Sequence, residues 1–182
     1  LIAAPRRLEQ SETIVHELPA LLDSAMAHFD AIVANTGANW GEQHAVLLER
    51  SSRALFLVDQ RASSLRACKH AVELCARCGI AASPFLFVAN RCSKRSLFSS
   101  IDVSCAMQGA HAAELKDGGV EVEQALGTGL AYDLVSSRNP FALSVRELMG
   151  EVAGEAAGSL ASSEESEAPS RGLFSFRRAR RE

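Results

Sequence analysis

Three short apolar runs in the sequence each end in a polar residue: Asn35, Asp59 and Asn90. A carboxamide offers a hydrogen-bond donor and an acceptor side by side, whereas a carboxylate offers acceptors only. In an open α/β sheet, ligands bind just beyond the carboxyl ends of the strands. The sequence therefore predicts a binding edge that these residues share if each apolar run forms a strand.

Alternating strand and helix patterns would have to position these residues. Strands are predicted in five apolar runs: residues 1–4, 31–34, 54–58, 85–89 and 111–115. Apolar residues at helical spacing predict helices from Ser11 (with Pro19 as a kink or a later start), over 41–49, from Ser63 until Gly79, over 101–107, over 120–126 and after Asn139-Pro140. Strands that alternate with helices are typical of parallel sheets. The predicted fold class is therefore α/β, with a mostly parallel sheet flanked by helices.

The bulk composition favours one folded domain followed by a tail. Of the 182 residues, 47% are apolar and 23% charged, and the net charge is -3. These values give no case for nucleic-acid binding by the whole chain, and no apolar run approaches the ~18 residues of a membrane span. We predict an α/β domain over residues 1–157, a disordered Ser/Glu-rich linker over 158–170 and a basic aromatic tail over 171–182. Residues 1–4 look like a strand entered midway, so the sequence is interpreted as part of a longer protein.

The tail combines apolar side chains with arginines: Leu173, Phe174, Phe176, Arg177, Arg178, Arg180 and Arg181. Beside an anionic bilayer, each basic side chain contributes about 1 kcal/mol of attraction, and the aromatic rings could insert shallowly. A solvated basic tail accounts for the same residues equally well. Both interpretations stay open at this point.

Five cysteines without a secretory signal favour reduced thiols in a cytoplasmic protein. Cys75 and Cys78 have the C-x-x-C spacing of metal and redox sites. The sequence offers no second such pair and no nearby histidine pair to complete a tetrahedral set of ligands, and free cysteines are commonly buried. We therefore predict that this pair serves packing rather than chemistry.

The order and spacing of several segments resemble the C-terminal half of the MinD/ParA class of P-loop ATPases. The similarity is strongest to the CpaE/TadZ branch, which helps to localise assembly of the Tad (Flp) pilus, and it spans roughly residues 1–152. The segments that carry it are Leu1-Ile-Ala-Ala-Pro5, His28-Phe-Asp-Ala-Ile-Val-Ala-Asn35, Leu55-Phe-Leu-Val-Asp59, Ser64-Leu-Arg66, Val88-Ala-Asn-Arg91, Asp117-Gly-Gly-Val-Glu-Val-Glu-Gln-Ala-Leu-Gly127 and Asn139-Pro-Phe141. The resemblance implies a partial MinD-like P-loop NTPase fold of the SIMIBI class.

The resemblance also implies nucleotide-binding roles for individual residues. Asn90 and Arg91 match the family's Asn-Arg motif, whose asparagine hydrogen-bonds the adenine edge; the alternative for Asn90 is a polar strand end that caps a turn. Asp117 opens the family's acidic, glycine-flanked helix. Asp59 lies at a strand end that in the family faces the nucleotide or the partner protomer, although capping of the next helix is the favoured interpretation.

Two departures from the family pattern concern catalysis. The Walker A loop, whose backbone amides and lysine hold the phosphates, is absent from this sequence. Asn35 occupies the position of the Walker B aspartate, and a neutral amide is a poor partner for hydrated Mg²⁺. ATP and Mg²⁺ are therefore expected as cofactors only in a complete form that carries a P-loop. Whether the chain is an enzyme stays open.

The resemblance implies a localisation or assembly factor of Tad pilus biogenesis, with weak or no ATP hydrolysis. Its expected partners are a second copy in a homodimer, pilus or secretion assembly proteins and, through the tail, an anionic membrane surface at the inner face of the cell membrane; no specific nucleic acid is expected. One alternative is an active MinD/ParA-type ATPase for division-site placement or partition, with its P-loop outside this chain. Another is a non-enzymatic α/β interaction scaffold.

Overall fold

The computed structural model describes the backbone of residues 11–37 and 40–166. Three strands and seven helices follow one another in this part of the chain. In order they are α1 (Ser11–Met26), α2 (Glu42–Arg50), β1 (Ala54–Val58), α3 (Ala62–Arg77), β2 (Phe85–Cys92), α4 (Ser100–Ala106), β3 (Ala112–Lys116), α5 (Gly119–Gly127), α6 (Ala131–Val135) and α7 (Pro140–Ser166).

The three strands form one parallel sheet in the order β1-β2-β3. Leu55 lies opposite Leu86 and Leu57 lies opposite Val88, so each of these pairs projects from the same face of the sheet. The predicted fold class, an α/β fold with a parallel sheet flanked by helices, is confirmed.

Helices pack on both faces of the sheet. On one face, Val58, Phe87 and Cys92 of the strands pack with Cys75 of α3 and Val103 of α4. On the other face, α7 covers β2 and β3, where Leu148 packs against Leu86, Val88 and Leu115. The buried residues of α3 are spaced three and four positions apart, as an amphipathic helix requires: Cys68, Ala71 and Cys75.

The strand predicted over residues 31–34 does not form, and this prediction was wrong. Residues 31–37 have no regular structure and are exposed, with Val33 89% exposed. A strand is stabilised by pairing with a neighbour, and none of the described residues pairs with this segment. Asn35 therefore does not lie at the end of a strand. The strand predicted over residues 1–4 lies outside the described residues.

Smaller differences concern the C-terminal half. α6 was not predicted, because its five residues carry only one buried side chain, Leu134. The backbone of α7 is helical to Ser166, where the sequence predicted a linker from residue 158. The domain boundaries stay predictions, and the tail over 171–182 lies outside the described residues. Within the described part of the chain, no helix is long and apolar enough to cross a membrane.

All five cysteines are free thiols, of which three are buried and two are exposed. Cys75 is buried in the core, as predicted, whereas Cys78 is exposed just after the end of α3. Burial raises the pKa of the Cys68 thiol to about 11, and it is also the main cause of the raised pKa of Cys75. Buried thiols with raised pKa values are poor nucleophiles and poor metal ligands. The packing role therefore holds for Cys75 and not for Cys78.

Candidate functional site

The carboxyl ends of β2 and β3 bring three of the four predicted nucleotide-binding residues to one edge of the sheet. Asn90 and Arg91 lie near the carboxyl end of β2, and Asp117 directly follows β3. The backbone N–H of Asp117 donates a hydrogen bond to the carbonyl oxygen of Cys92 at 3.0 Å, which ties the two strand ends together. Parallel pairing, rather than any local signal, creates this juxtaposition.

The side chain of Asn90 is half-buried at this edge. Its backbone carbonyl accepts a hydrogen bond, but its carboxamide has no hydrogen-bond partner within residues 11–37 and 40–166. A turn-capping role would require such a bond, so the capping alternative is not what the structure shows. The carboxamide keeps a donor and an acceptor available for a ligand.

Arg91 interrupts the regular geometry of β2. Its φ angle is 54°, in the left-handed region, and the pairing with β3 is irregular between Ala89 and Cys92. For a residue other than glycine, this conformation costs about 1 kcal/mol and is typical of functional strand ends. The guanidinium lies 3.4 Å from a carboxylate oxygen of Glu123 in α5, and both side chains are exposed. Such an exposed pair adds little stability, so Arg91 can exchange Glu123 for another anion.

Asp117 has a structural contact of its own. One carboxylate oxygen accepts the backbone N–H of Gly119 at 3.1 Å, which closes the turn into α5. Gly119 has a φ angle of 62°, a conformation that a glycine adopts without steric cost. Asp117 is exposed, so its second oxygen faces solvent at the edge that holds Asn90.

Asn35 and Asp59 do not behave as the sequence predicted. Asn35 is exposed in the irregular segment before α2, and the structure does not bring it together with Asn90. Asp59 does lie at the end of β1, but its carboxylate contacts the guanidinium of Arg61 at 3.4 Å. The N-cap position of α3 is Arg61, and no side chain makes a capping hydrogen bond to this helix, so the capping role predicted for Asp59 was wrong.

Gln60 is the residue at this edge that sequence reasoning missed. Its side chain reaches from the end of β1 to the end of β2 and to the loop that follows. A polar residue directly after a buried strand was the available signal. That signal did not distinguish Gln60 from Asp59 beside it.

The loop over residues 93–99, which leads from β2 to α4, is fixed at its far end. Ser99 and Asp102 form a reciprocal cap at the start of α4, and the hydrogen bonds from Ser99 lower the pKa of Asp102. The carboxylate of Glu114 in β3 accepts bonds from the backbone N–H and the hydroxyl of Ser100, at 3.0 and 3.1 Å. The hydrogen bond from Lys116 lowers the pKa of Glu114 most, and those from Ser100 add to this.

The residues at the carboxyl ends of β2 and β3 suit the base of a nucleotide better than its phosphates. An amide at Asn90 and an exposed guanidinium suit the polar groups of a base and its sugar. Among the described residues, no group of three or more His, Cys, Asp or Glu side chains could hold a metal ion. The residues present therefore fit a base, whereas they do not fit a magnesium-bound triphosphate.

Comparison with models of protein families and with curated proteins finds no match. Comparison with solved structures finds a ParA family ATPase from Chlorobium tepidum TLS, at a TM-score of 0.70 and 17% sequence identity. The alignment covers 81% of this chain but only 62% of that protein, so this chain spans less than two thirds of its length. The likeness shows that the described residues adopt a ParA-like α/β fold.

Proposed function

We propose that this chain is the base-binding portion of a MinD/ParA-like nucleotide-binding protein whose phosphate-binding loop lies outside these 182 residues. In this proposal the complete protein binds ATP, hydrolyses it weakly or not at all, and acts as a localisation or assembly factor of the CpaE/TadZ type. One observation carries the proposal. In a ParA-like fold, the Asn90 carboxamide lies at the carboxyl end of β2, and the neighbouring strand β1 has a free outer side within the described residues.

The incomplete edge is the outer side of β1, the first strand of the sheet. Within the described part of the chain, β1 pairs with β2 alone. Leu55 and Leu57 are 39% and 55% exposed, although their neighbours in register, Leu86 and Val88, are 4% and 0% exposed. Parallel strands are commonly covered on both faces and paired on both sides. An additional strand and helix would cover these leucines, and more than a third of the ParA family ATPase has no counterpart here.

Asn35 supports the part of the proposal that concerns hydrolysis. A neutral amide replaces the metal-binding acid that the resemblance leads us to expect, and it lies in an exposed irregular segment. A hard dication binds carboxylate oxygens far better than an amide. We therefore propose that a nucleotide bound to the complete form acts as a ligand that sets conformation or partnership, not as a substrate that turns over rapidly.

The proposed partners follow from the same resemblance and from the tail composition. They are a second copy of the protein, assembly proteins of a pilus or secretion apparatus, and an anionic membrane surface. The five arginines of residues 171–182, together with Leu173, Phe174 and Phe176, suit such a surface. We place the protein in the cytoplasm, at the inner face of the membrane when the tail is engaged.

ATP binding, measured by calorimetry with Mg²⁺, tests the proposed function. This chain and a version extended upstream would be compared, together with Asn90→Ala and with Gln124→Ala as the matched control, since Gln124 is an exposed amide on α5. We expect ATP to bind the extended form, and Asn90→Ala to weaken binding by about tenfold, or 1.4 kcal/mol. Gln124→Ala should bind ATP as the unaltered extended form does.

Two results would contradict the proposal. An extended form that binds no ATP would leave a scaffold with a ParA-like fold. An extended form that binds ATP equally well with and without Asn90→Ala would remove base recognition from this edge. Rapid phosphate release that is lost in Asn35→Ala would instead identify an active ATPase.

A further inference from the structure

We infer that Gln60 is a positioning residue that holds Asn90 and the loop over residues 93–99 in the geometry that selects an adenine base over a guanine base. This inference rests on the proposed function, because it concerns the same base-binding edge. Gln60 itself need not touch the base. It acts through the backbone of Asn90 and Phe98.

The carboxamide of Gln60 makes three short contacts to backbone groups. Its Nε2 donates to the carbonyl oxygen of Asn90 at 2.8 Å and to that of Phe98 at 3.1 Å. Its Oε1 accepts the N–H of Phe98 at 2.9 Å. Gln60 and Phe98 therefore form a paired arrangement like that between two strands, and both Nε2 hydrogens have an acceptor.

These contacts explain why the position requires glutamine. Glutamate would still accept the Phe98 N–H, but it has no donor for the two carbonyl oxygens and would bring a negative charge beside them. Alanine would remove all three contacts and leave half-buried backbone groups without these partners.

The effect of losing Gln60 should be confined to the loop. The far end of the loop is held separately by the cap at Ser99 and by the bonds between Ser100 and Glu114. Gln60 supplies the contacts that join the loop to β1 and to Asn90. Its removal therefore loosens the segment before Ser99 without opening the sheet, because the Phe98 side chain still packs against the core and the Ser96 hydroxyl still donates to the carbonyl oxygen of Arg91.

Base selectivity follows from the symmetry of an amide side chain. Adenine and guanine present donors and acceptors in opposite order on their pairing edges. The Asn90 carboxamide can turn by 180° and satisfy either order, so it cannot distinguish the bases alone. Backbone groups cannot turn in this way when they are held, and a site with fixed polarity discriminates strongly. Gln60 fixes the course of the backbone at Asn90 and at Phe98, and it therefore holds the remaining backbone groups of the loop over residues 93–99 in one orientation.

Two measurements on Gln60→Ala and Gln60→Glu test the inference, with Gln124→Ala as control. The first is amide hydrogen exchange of Phe98 in the 182-residue chain. We expect the Phe98 amide to exchange at least about tenfold faster in Gln60→Ala and to be less accelerated in Gln60→Glu, which keeps an acceptor for it, while Val88 and Val103 keep their protection. The second is the ratio of ATP to GTP affinity in the extended form, which we expect to fall at least about fivefold.

Each outcome decides between the inference and its alternatives. Unchanged exchange of Phe98 would show that Gln60 does not hold the loop. Equal losses of ATP and GTP affinity would show a merely structural role, since a change in selectivity is what positioning requires. An extended form that binds no nucleotide would overturn the proposed function and the selectivity role together, and the exchange of Phe98 would still decide whether Gln60 holds the loop.

Discussion

The two outer edges of the sheet are protected to different degrees. At the β3 edge, the N–H of Lys116 donates to the hydroxyl of Ser144 in α7 at 3.0 Å, and the Lys116 ammonium pairs with Glu114. At the β1 edge, the side chains that project toward the α7 face are Leu55 and Leu57, and both are exposed. One edge thus carries charges and a helix contact, whereas the other presents apolar side chains.

Natural sheets commonly guard a terminal edge with charges or cover it with a helix, because an unguarded apolar edge invites pairing with another strand. The β3 edge has both kinds of protection, which indicates that the sheet ends there. On the face that carries Leu55 and Leu57, the β1 edge has neither within the described residues, although α3 packs against the opposite face of β1. This difference supports the proposal that the sheet continues on that side. Asn90 and Arg91, the residues proposed to bind a base, lie between these edges at the carboxyl end of β2.

We expect the largest change in the free energy of unfolding when a buried and an exposed position on the same face of the sheet are compared. Leu57 and Val88 are in register on the face that α7 packs against, but Val88 is fully buried and Leu57 is 55% exposed. Val88→Asp should cost more than about 4 kcal/mol, because it buries an unpaired carboxylate and empties part of the core. Leu57→Asp should change the free energy of unfolding by no more than about 0.5 kcal/mol. Urea denaturation followed by circular dichroism measures both.

The same two variants, made in the extended form, test whether additional residues cover β1. If an added strand and helix cover β1, Leu57→Asp becomes a buried charge there and should cost about 3 kcal/mol or more. Equal costs for Leu57→Asp in the short and extended forms would show that nothing covers this edge. A large cost in the short form would show that Leu57 is already packed.

Ser144→Ala tests the protection of the β3 edge. The change removes the acceptor of the Lys116 N–H and the hydroxyl that donates to the carbonyl of Phe141 at 2.8 Å. We expect a loss of about 1 kcal/mol in the free energy of unfolding, partly offset because alanine favours the helix. Ser136→Ala is the control, because that hydroxyl is exposed and its bond to Asp133 is long, at 3.4 Å. Equal small effects in the two variants would mean that Ser144 does not protect this edge.

The sequence predicted the elements whose formation depends on local pattern. The apolar runs of β1 and β2 and the apolar residues at helical spacing between Ser63 and Gly79 sufficed, because burial of a strand or of one helix face requires such patterns. Residues 31–34 have the same kind of apolar run and form no strand. Whether an apolar run pairs depends on a neighbour elsewhere in the chain, and no local pattern records that neighbour.

The candidate site was predictable to a similar extent. Asn90 was found because ligands bind beyond the carboxyl ends of parallel strands, whereas Asp117 was found only through the family resemblance. Asn35 was misplaced together with its strand. Gln60 was missed because its role depends on reaching Phe98, which is 38 positions further along the chain. Local spacing contains no information about such a contact.

Glu114→Gln gives the smallest expected effect, and it isolates the charge at the β3 edge. The hydrogen bond from Lys116, and then those from Ser100, hold the pKa of Glu114 below its ordinary value of 4.5. A carboxyl whose pKa is lower in the folded than in the unfolded state stabilises the fold above the unfolded pKa, and this contribution disappears as the pH falls through the folded pKa. The unaltered chain should therefore be more stable than Glu114→Gln by about 0.5 kcal/mol at pH 7, and equally stable well below pH 4. Urea denaturation across this range, with Glu49→Gln on the exposed surface of α2 as control, measures the difference. A difference that persists unchanged at low pH would assign the effect to packing or to the Ser100 bonds, and the charge would then not be what protects this edge.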